Sequence, residues 1–371
     1  MTSILDDTRE YESWLASYAA VDADDLTYKH TRMADPRDPF PFFRGTYYRW
    51  LRQFRELCPE LNDAPPVLAI GDLHLQNFGT WRDGEGRLAW GVNDFDETAD
   101  LPYTIDLVRL ACSIRFAKRT GTLGIQNGQA CDALVRIYKQ TLESGGQPFV
   151  LEEENPHLRA LAYAQERGPA RFWKRLTRLL QEPEADVPEE ARELLLRDMP
   201  AKRLACQFRF HRRVGMGSLG KPRFTVLAQW SGGWVARQAK AIVPPASCWL
   251  DGKSGPSRSR MGEIVKKAIR CRDPFFRPEK DWIARRIAPR CSKIELSYVK
   301  NSGDQTALIE AMGAETANVH LGSAKVVEAI LKDLDQRPKG WLWESAKRMY
   351  KVMRADWVEW RCSTEALPAF G

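Results

Sequence analysis

The sequence predicts an α+β protein of two lobes, in which a small antiparallel-sheet lobe interrupts a mainly helical one. Three observations lead there. The chain has 371 residues, 43% hydrophobic and 28% charged, which is enough to bury one large core or two smaller ones and argues against disorder and against a membrane span. Charge is unevenly spread: residues 201–298 hold 22 Lys or Arg against 6 Asp or Glu, 299–371 balance at 10 and 10, and 1–200 carry −9. At about residue 201 the hydrophobic period changes from helical to alternating.

Before that point the elements follow from local signals. Helical or mixed segments run to about residue 62. "DAPPVLAIGDLHLQNFG" then reads as a turn, a short apolar strand from Val67 to Ile70 and a polar loop. A second strand, "RLAWGVNDF", follows the turn "RDGEG". Ile105, Val108, Ala111, Cys112 and Phe116 recur at helical spacing, with Pro102 near the start and Gly121 just past the end. From 123 to about 200 the pattern is helical, broken by Gly/Pro loops at 145–148 and 182–188. Beyond 201, "CQFRFHRRVGMGSLGKPRFTVLAQWSGGWVARQAKAIVPP" reads as strand, glycine loop, strand, turn and strand. "SRMGEIVKKAIRCRD" reads as one helix and "DWIARRIAPRCSKIEL" as two more strands, after which the chain is helical again from about 304.

The chemistry concentrates in a few places. Gly215, Gly217 and Gly220 form G-x-G-x-x-G around Ser218, a spacing that lets backbone amides approach phosphate oxygens because no Cβ intervenes. By itself it is equally a flexible hairpin loop. A dinucleotide-binding version opens into a helix, whereas here Pro222 and "RFTVLAQW" announce a strand, as in the phosphate-covering loop of protein kinases. Lys240, in the apolar strand "WVARQAKAI", then occupies the place of a phosphate-binding lysine, and Glu263 in the next helix is its candidate partner.

In "GDLHLQNFG", Asp72 and Asn77 can play two roles in phosphoryl transfer, one orienting a hydroxyl and the other offering an amide oxygen to Mg²⁺. Asp94 in "VNDFDE" is the natural carboxylate ligand, since Mg²⁺ takes one or two carboxylates plus substrate phosphates. Each acid alone could instead serve an Asx-turn or a cap. Asp96 and Glu97 are candidates for groups behind the ligands or on a second metal, and Asp106 for bracing the loops through backbone amides. "GDLH" also looks like the opening of a metallophosphoesterase site, but His30, His157, His211 and His320 lie in no matching motif, so His74 is assigned to loop support. Arg44 in "FFRG" faces an acceptor or a phosphate, or makes a structural ion pair.

Together these motifs carry a likeness. "GDLHLQNFG…VNDFDE…YTIDLVRLA" resembles the pattern of aminoglycoside and choline phosphotransferases, which are relatives of the protein kinases. "PFPFFRG", "GDLHLQNFG", "NDFDE" and "VGMGSLG", in this order, look closer still to the bacterial domain-of-unknown-function family 2252, itself grouped with the kinase-like fold. The likeness covers roughly residues 38–323. It implies that Asp72 matches the catalytic aspartate, Asn77 and Asp94 the metal ligands, Lys240 and Glu263 the phosphate lysine and its partner, and Asp106 the helix aspartate supporting the catalytic loop. In a kinase the glycine loop precedes the catalytic loop; here it follows by some 140 residues. The resemblance therefore implies a circularly permuted kinase-like fold, with a catalytic lobe built from 1–200 and 299–371 around a nucleotide lobe at 201–298.

The expected function is an ATP- and Mg²⁺-dependent phosphotransferase acting on an unidentified hydroxyl acceptor, small molecule or protein. A nucleotide-binding pseudokinase or regulatory module and an AMP transferase of the same fold are the alternatives. A nucleic-acid binder using the basic lobe is less favoured, because no aromatic-basic motif accompanies the charge. The N-terminus lacks the basic start and apolar block of a signal peptide, and eight scattered cysteines form no CxxC pair, so a reducing cytoplasm is the expected location.

Overall fold

Alternation of apolar and polar residues builds the strands, and where both faces are covered the alternation disappears. The computed structural model describes residues 2–119, 121, 124, 126–152, 154–164, 168–213, 215–252, 259–289, 291 and 302–365. Its strands are β1 (Pro66–Ala69), β2 (Phe78–Arg82), β3 (Leu88–Val92), β4 (Ala99–Pro102), β5 (Phe149–Val150), β6 (Gln207–Phe210), β7 (Arg223–Trp230), β8 (Gly233–Ala241), β9 (Arg277–Glu279) and β10 (Trp282–Ile287). They form three sheets, β1-β4, β2-β3-β5 and β6-β7-β8-β10-β9, and the pairs are antiparallel. The fold is mixed α+β.

The helical part has one large core. Phe42, Phe43, Trp50 and Phe54 from the first segments meet Leu107, Leu110 and Phe116 of the helix Thr104–Arg119, and Met349, Met353 and Trp357 of the long last helix Trp341–Glu365. Residues near both ends of the chain thus share one interior, and each fully buried side chain of this size contributes about 1.5–3 kcal/mol. Caps match local chemistry. Ser3 and Asp22 accept amides at the starts of Ile4–Ala16 and Ala23–Met33, and Gly145 at φ 81° closes Asn127–Ser144.

The five-stranded sheet has its own apolar face. Phe208, Phe224, Val226, Ala239, Trp282 and Ala284 pack there against Ala191, Leu194 and Leu195 of the helix Glu189–Arg197. The cover of the sheet therefore begins before residue 200, where composition drew the boundary, because an amphipathic helix that sheds its charges outward shows no composition shift. Other differences are local: β2 and β4 form where the sequence suggests the end of a polar loop and the approach to a helix. β5 adds a short third strand beside β3, where only helix and loop are expected. The helix around 259–273 is only Met261–Lys267, with a further short helix at Ala246–Leu250 and the edge strand β9 after it. The strand expected in "CSKIEL" lies outside the described residues. No disulfide joins any of the eight cysteines, all of which are described. Among the described residues no helix is long and apolar enough to cross a membrane.

β3 is tied to the helix Ser302–His320 through Glu315, whose Oε1 accepts from the amide of Val92 at 3.1 Å. A Cβ on Gly91 would overlap the Glu315 carboxylate, whereas one on Gly84 would meet nothing within 4 Å. Gly91→Ala should lower the unfolding free energy by about 1–3 kcal/mol, and Gly84→Ala should change it by less than about 0.5 kcal/mol. Equal denaturation midpoints for the two variants would contradict this packing.

Candidate functional site

β1 runs out into the loop Ile70–Asn77, and that loop is held from below by one buried carboxylate. Asp106, in the first turn of Thr104–Arg119, accepts the amide of Ile70 on Oδ2 and that of Gly71 on Oδ1, each at 2.8 Å. His320 Nε2 donates to the same Oδ2 at 2.9 Å, and the hydroxyl of Tyr138 lies 2.7 Å from His320 Nδ1. With Nε2 donating, Nδ1 of a neutral ring is left to accept from the tyrosine.

Asp72 follows directly. Its Oδ1 receives Arg109 Nε at 2.9 Å and Nη2 at 2.7 Å, and Arg109 also donates to the carbonyl of Phe43 and lies 3.5 Å from the Phe43 ring centroid. Burial pushes the Asp72 carboxyl up to about 6, while Arg109 and Arg44 pull it down and Asp94 pushes it further up. Asn77 turns its Nδ2 onto the carbonyl of Asp72 at 2.5 Å, which leaves Oδ1 as the atom it can present to a cation. His74 Nδ1 accepts the amide of Gln76 at 3.1 Å, and its Nε2, which Arg44 Nε approaches at 3.3 Å, lies 3.9 Å from Asp72 Oδ2. Arg44 donates to Gln76 Oε1 at 2.7 Å, touches His74 at 3.3 Å, and interacts electrostatically with Asp72 and Asp94.

The acidic loop after β3 meets the five-stranded sheet here. Lys240 on β8 donates to both oxygens of Asp96 at 2.6 Å and lies 3.8 Å from Asp94 Oδ1. Burial lowers the Lys240 pKa and the two aspartates oppose that effect. Lys221, buried directly after the glycine loop, lies 3.6 Å from Asp96. Glu97 accepts the amide of Ala246 at 2.6 Å and is pushed up to about 7, mainly by burial, with Lys221 acting against it. Arg223 on β7, directly opposite Lys240, is also buried and also couples to Asp94 and Asp96.

The glycine loop closes over this cluster. A Cβ placed on Gly217 would sit 3.8 Å from Asp72 Oδ2 and 3.8 Å from the Arg44 carbonyl. Gly215 at φ 73° and Gly220 at φ 90° take conformations that side chains disfavour, and the Gly220 carbonyl accepts the amide of Asp22. The Ser218 side chain lies outside the described residues.

Asp72, Asn77, Asp94, Asp96, Lys240, Arg44, His74 and Gly217 thus come together in space. Glu263 does not join them. It pairs with Arg260 at 2.7 Å and Lys267 at 2.7 Å on its own short helix, and those cations hold its carboxyl down at about 2. Asp96 meets Lys240 instead, because the acidic loop reaches the lysine directly. Sequence reasoning missed Arg109, Lys221 and Arg223. Arg109 stands three residues after Asp106 and so shares its helix face, and Lys221 adjoins the loop; those are the signals that could have found them.

Among the described residues no group of three His, Cys, Asp or Glu is placed to hold a metal ion by itself. Asn77 Oδ1 and the Asp94 carboxylate are hard oxygen donors of the type Mg²⁺ takes when phosphates complete its shell. The surrounding cations Lys221, Arg223, Lys240, Arg285 and Arg44 fit the phosphates.

Residues 22–167 match the family model described as "Uncharacterized protein conserved in bacteria (DUF2252)". The matched stretch contains Arg44, Asp72, Asn77, Asp94 and Asp106 and ends before the five-stranded sheet. No curated protein and no solved structure matches the chain.

The buried carboxyls give the stability a pH signature. Glu97 moves from 4.5 in the unfolded chain to about 7, so the native state keeps a proton that the unfolded chain has released between those values. The corresponding stability is complete below about pH 4.5 and is lost as the pH rises through about 7. Glu97→Gln keeps an acceptor for Ala246 and removes the titration. The fall in unfolding free energy from about pH 5 to 8 should shrink by on the order of 3 kcal/mol in the variant. Parallel curves for wild type and variant would show that Glu97 does not carry it.

Proposed function

We propose that the chain is a nucleotide- and Mg²⁺-dependent phosphotransferase of the kinase-like class, circularly permuted, that transfers a phosphoryl group to a hydroxyl acceptor. One observation carries this reading: residues 72–77, 94–96, 215–220 and 240, remote in sequence, converge within contact distance, with Gly217 over Asp72 and Lys240 beside Asp94. An Asx-turn or a helix cap accounts for each acid singly and for none of the convergence.

When bound, Mg·ATP supplies the electrophilic phosphorus and spreads the charge of the transferring group. The chain does the rest. Asp72 accepts the acceptor's proton; a carboxyl poised at about 6 is mostly ionised at neutral pH and close enough to it to work as a base. Arg109 positions that carboxylate and keeps it anionic against burial. Asn77 Oδ1 and Asp94 would hold the metal, the amide oxygen and the carboxylate serving as hard donors beside the phosphates. Lys240 spends two of its three N–H donors on Asp96 and keeps one for a phosphate oxygen, and Lys221 adds a second charge. The glycine loop brings backbone amides over the phosphates without a Cβ in the way.

With γ-labelled nucleotide and a broad panel of alcohols, sugars and proteins, Asp72→Asn should lose about 10²–10⁴-fold in transfer while still binding nucleotide. The wild-type kcat/KM should rise with pH through about 6 as Asp72 ionises. Asn77→Ala should raise the Mg²⁺ concentration needed. Transfer by wild type that is undiminished in Asp72→Asn would sink the reading, and transfer of α-label instead of γ-label would redirect it to AMP transfer.

A further inference from the structure

Directly paired residues on antiparallel strands share a face of the sheet. On the face that carries Lys240, the register sets three rows going away from the acidic loop: Arg223–Lys240–Ile283, then Arg209–Thr225–Gln238–Arg285, then Gln207–Leu227–Ala236–Ile287. The third row is apolar at Leu227, Ala236 and Ile287 and is covered by Phe172, Leu176 and Leu179. A nucleobase whose phosphates lie at Lys240 would rest on the second row, or else point outward to solvent.

The second row offers no flat apolar slot, which is the usual lining of a small-molecule pocket. Gln238, two residues before the lysine, fills the space instead. Its Nε2 lies 2.9 Å from His211 Nδ1 and 3.3 Å from Thr225 Oγ1, and its Oε1 accepts from Arg223 at 3.3 Å. His211 Nδ1 is also 3.0 Å from Thr225 Oγ1. Burial and the neighbouring Arg223 and Arg175 push His211 down to about 4, so it stays neutral inside this network. The side chains of the network bond to one another, which leaves them poorly placed to read a base. The cations continue past Lys240: Arg285 donates to the Asn93 carbonyl at 2.5 Å, and Nη2 of Arg285 and Nε of Arg209 are buried with no hydrogen-bond partner among the described residues.

We propose, on the basis of the phosphotransferase reading, that this site takes its donor by the polyphosphate chain and not by the base. The ligand class is nucleoside triphosphates irrespective of base, together with inorganic tripolyphosphate. Lys221, Arg223, Lys240 and Arg285 bind the phosphates, and the Gln238–His211–Thr225 network closes the place where a base would be selected.

The test is thermal shift and calorimetric titration of the full chain with ATP, GTP, CTP and inorganic tripolyphosphate, each with Mg²⁺. The expected dissociation constants fall within about tenfold of one another, less than a base-reading pocket achieves. Lys221→Ala should weaken all four alike, and Gln238→Ala should tighten ATP relative to tripolyphosphate. ATP binding more than about tenfold tighter than the other three in wild type, with the preference lost in Gln238→Ala, would overturn the proposal and leave the phosphotransferase reading standing. Binding of none of the four by folded protein would overturn both.

Discussion

Everything at the site hangs from Asp106. A carboxylate with no exposure sits on the helix Thr104–Arg119, receives the amides of Ile70 and Gly71, and is clamped by His320 from a helix near the other end of the chain. Those two amides sit at the end of β1, where the ladder with β4 stops at Ala69, so without Asp106 they would be buried donors lacking partners. Losing a buried acceptor of this kind costs on the order of 1–3 kcal/mol per orphaned group. The energetic role is therefore considerable, but the positional one matters more: Asp72 comes next in the chain, and its direction is fixed by the peptide that Asp106 holds.

The same logic extends outward. Buried charges persist only when paired and hydrogen-bonded, and here the acidic half of the chain meets the basic one. Asp96 pairs with Lys240 and Lys221 across the two, while Asp72 pairs with Arg109 of its own segment. Part of the uneven charge of the sequence meets at this interface, where Asp94 and Asp96 face Lys221, Arg223 and Lys240. Beyond Lys240, Nη2 of Arg285 and Nε of Arg209 are buried with no hydrogen-bond partner among the described residues.

The individual motifs were readable because their chemistry is local. A glycine spacing, an Asp and an Asn five apart, and a lysine on an apolar strand each announce themselves in the sequence, and the strand pattern of β6, β7 and β8 follows from alternation. What was not readable depends on direction and packing. Glu263 was a reasonable partner for Lys240 by analogy of order, yet nothing in a sequence reveals that Arg260 and Lys267 hold it elsewhere or that Asp96 arrives first. Arg109 looks like the polar side of an amphipathic helix and is fully buried beneath Asp72. His320 reads as an ordinary helix terminus and is the third member of the Asp106 clamp. The helix Glu189–Arg197 belongs to the sheet by contact although its composition matches the preceding segment.

The most direct measurement is a crystal structure with Mg²⁺ and a non-hydrolysable ATP analogue. The triphosphate should lie between the Gly215–Gly220 loop and Lys240, with the metal on Asn77 Oδ1 and the Asp94 carboxylate, and with Asp72 facing the terminal phosphate across the space an acceptor hydroxyl would fill. A triphosphate bound away from Lys240, or a metal held without Asn77 and Asp94, would contradict the assignment of this cluster as a phosphoryl-transfer site.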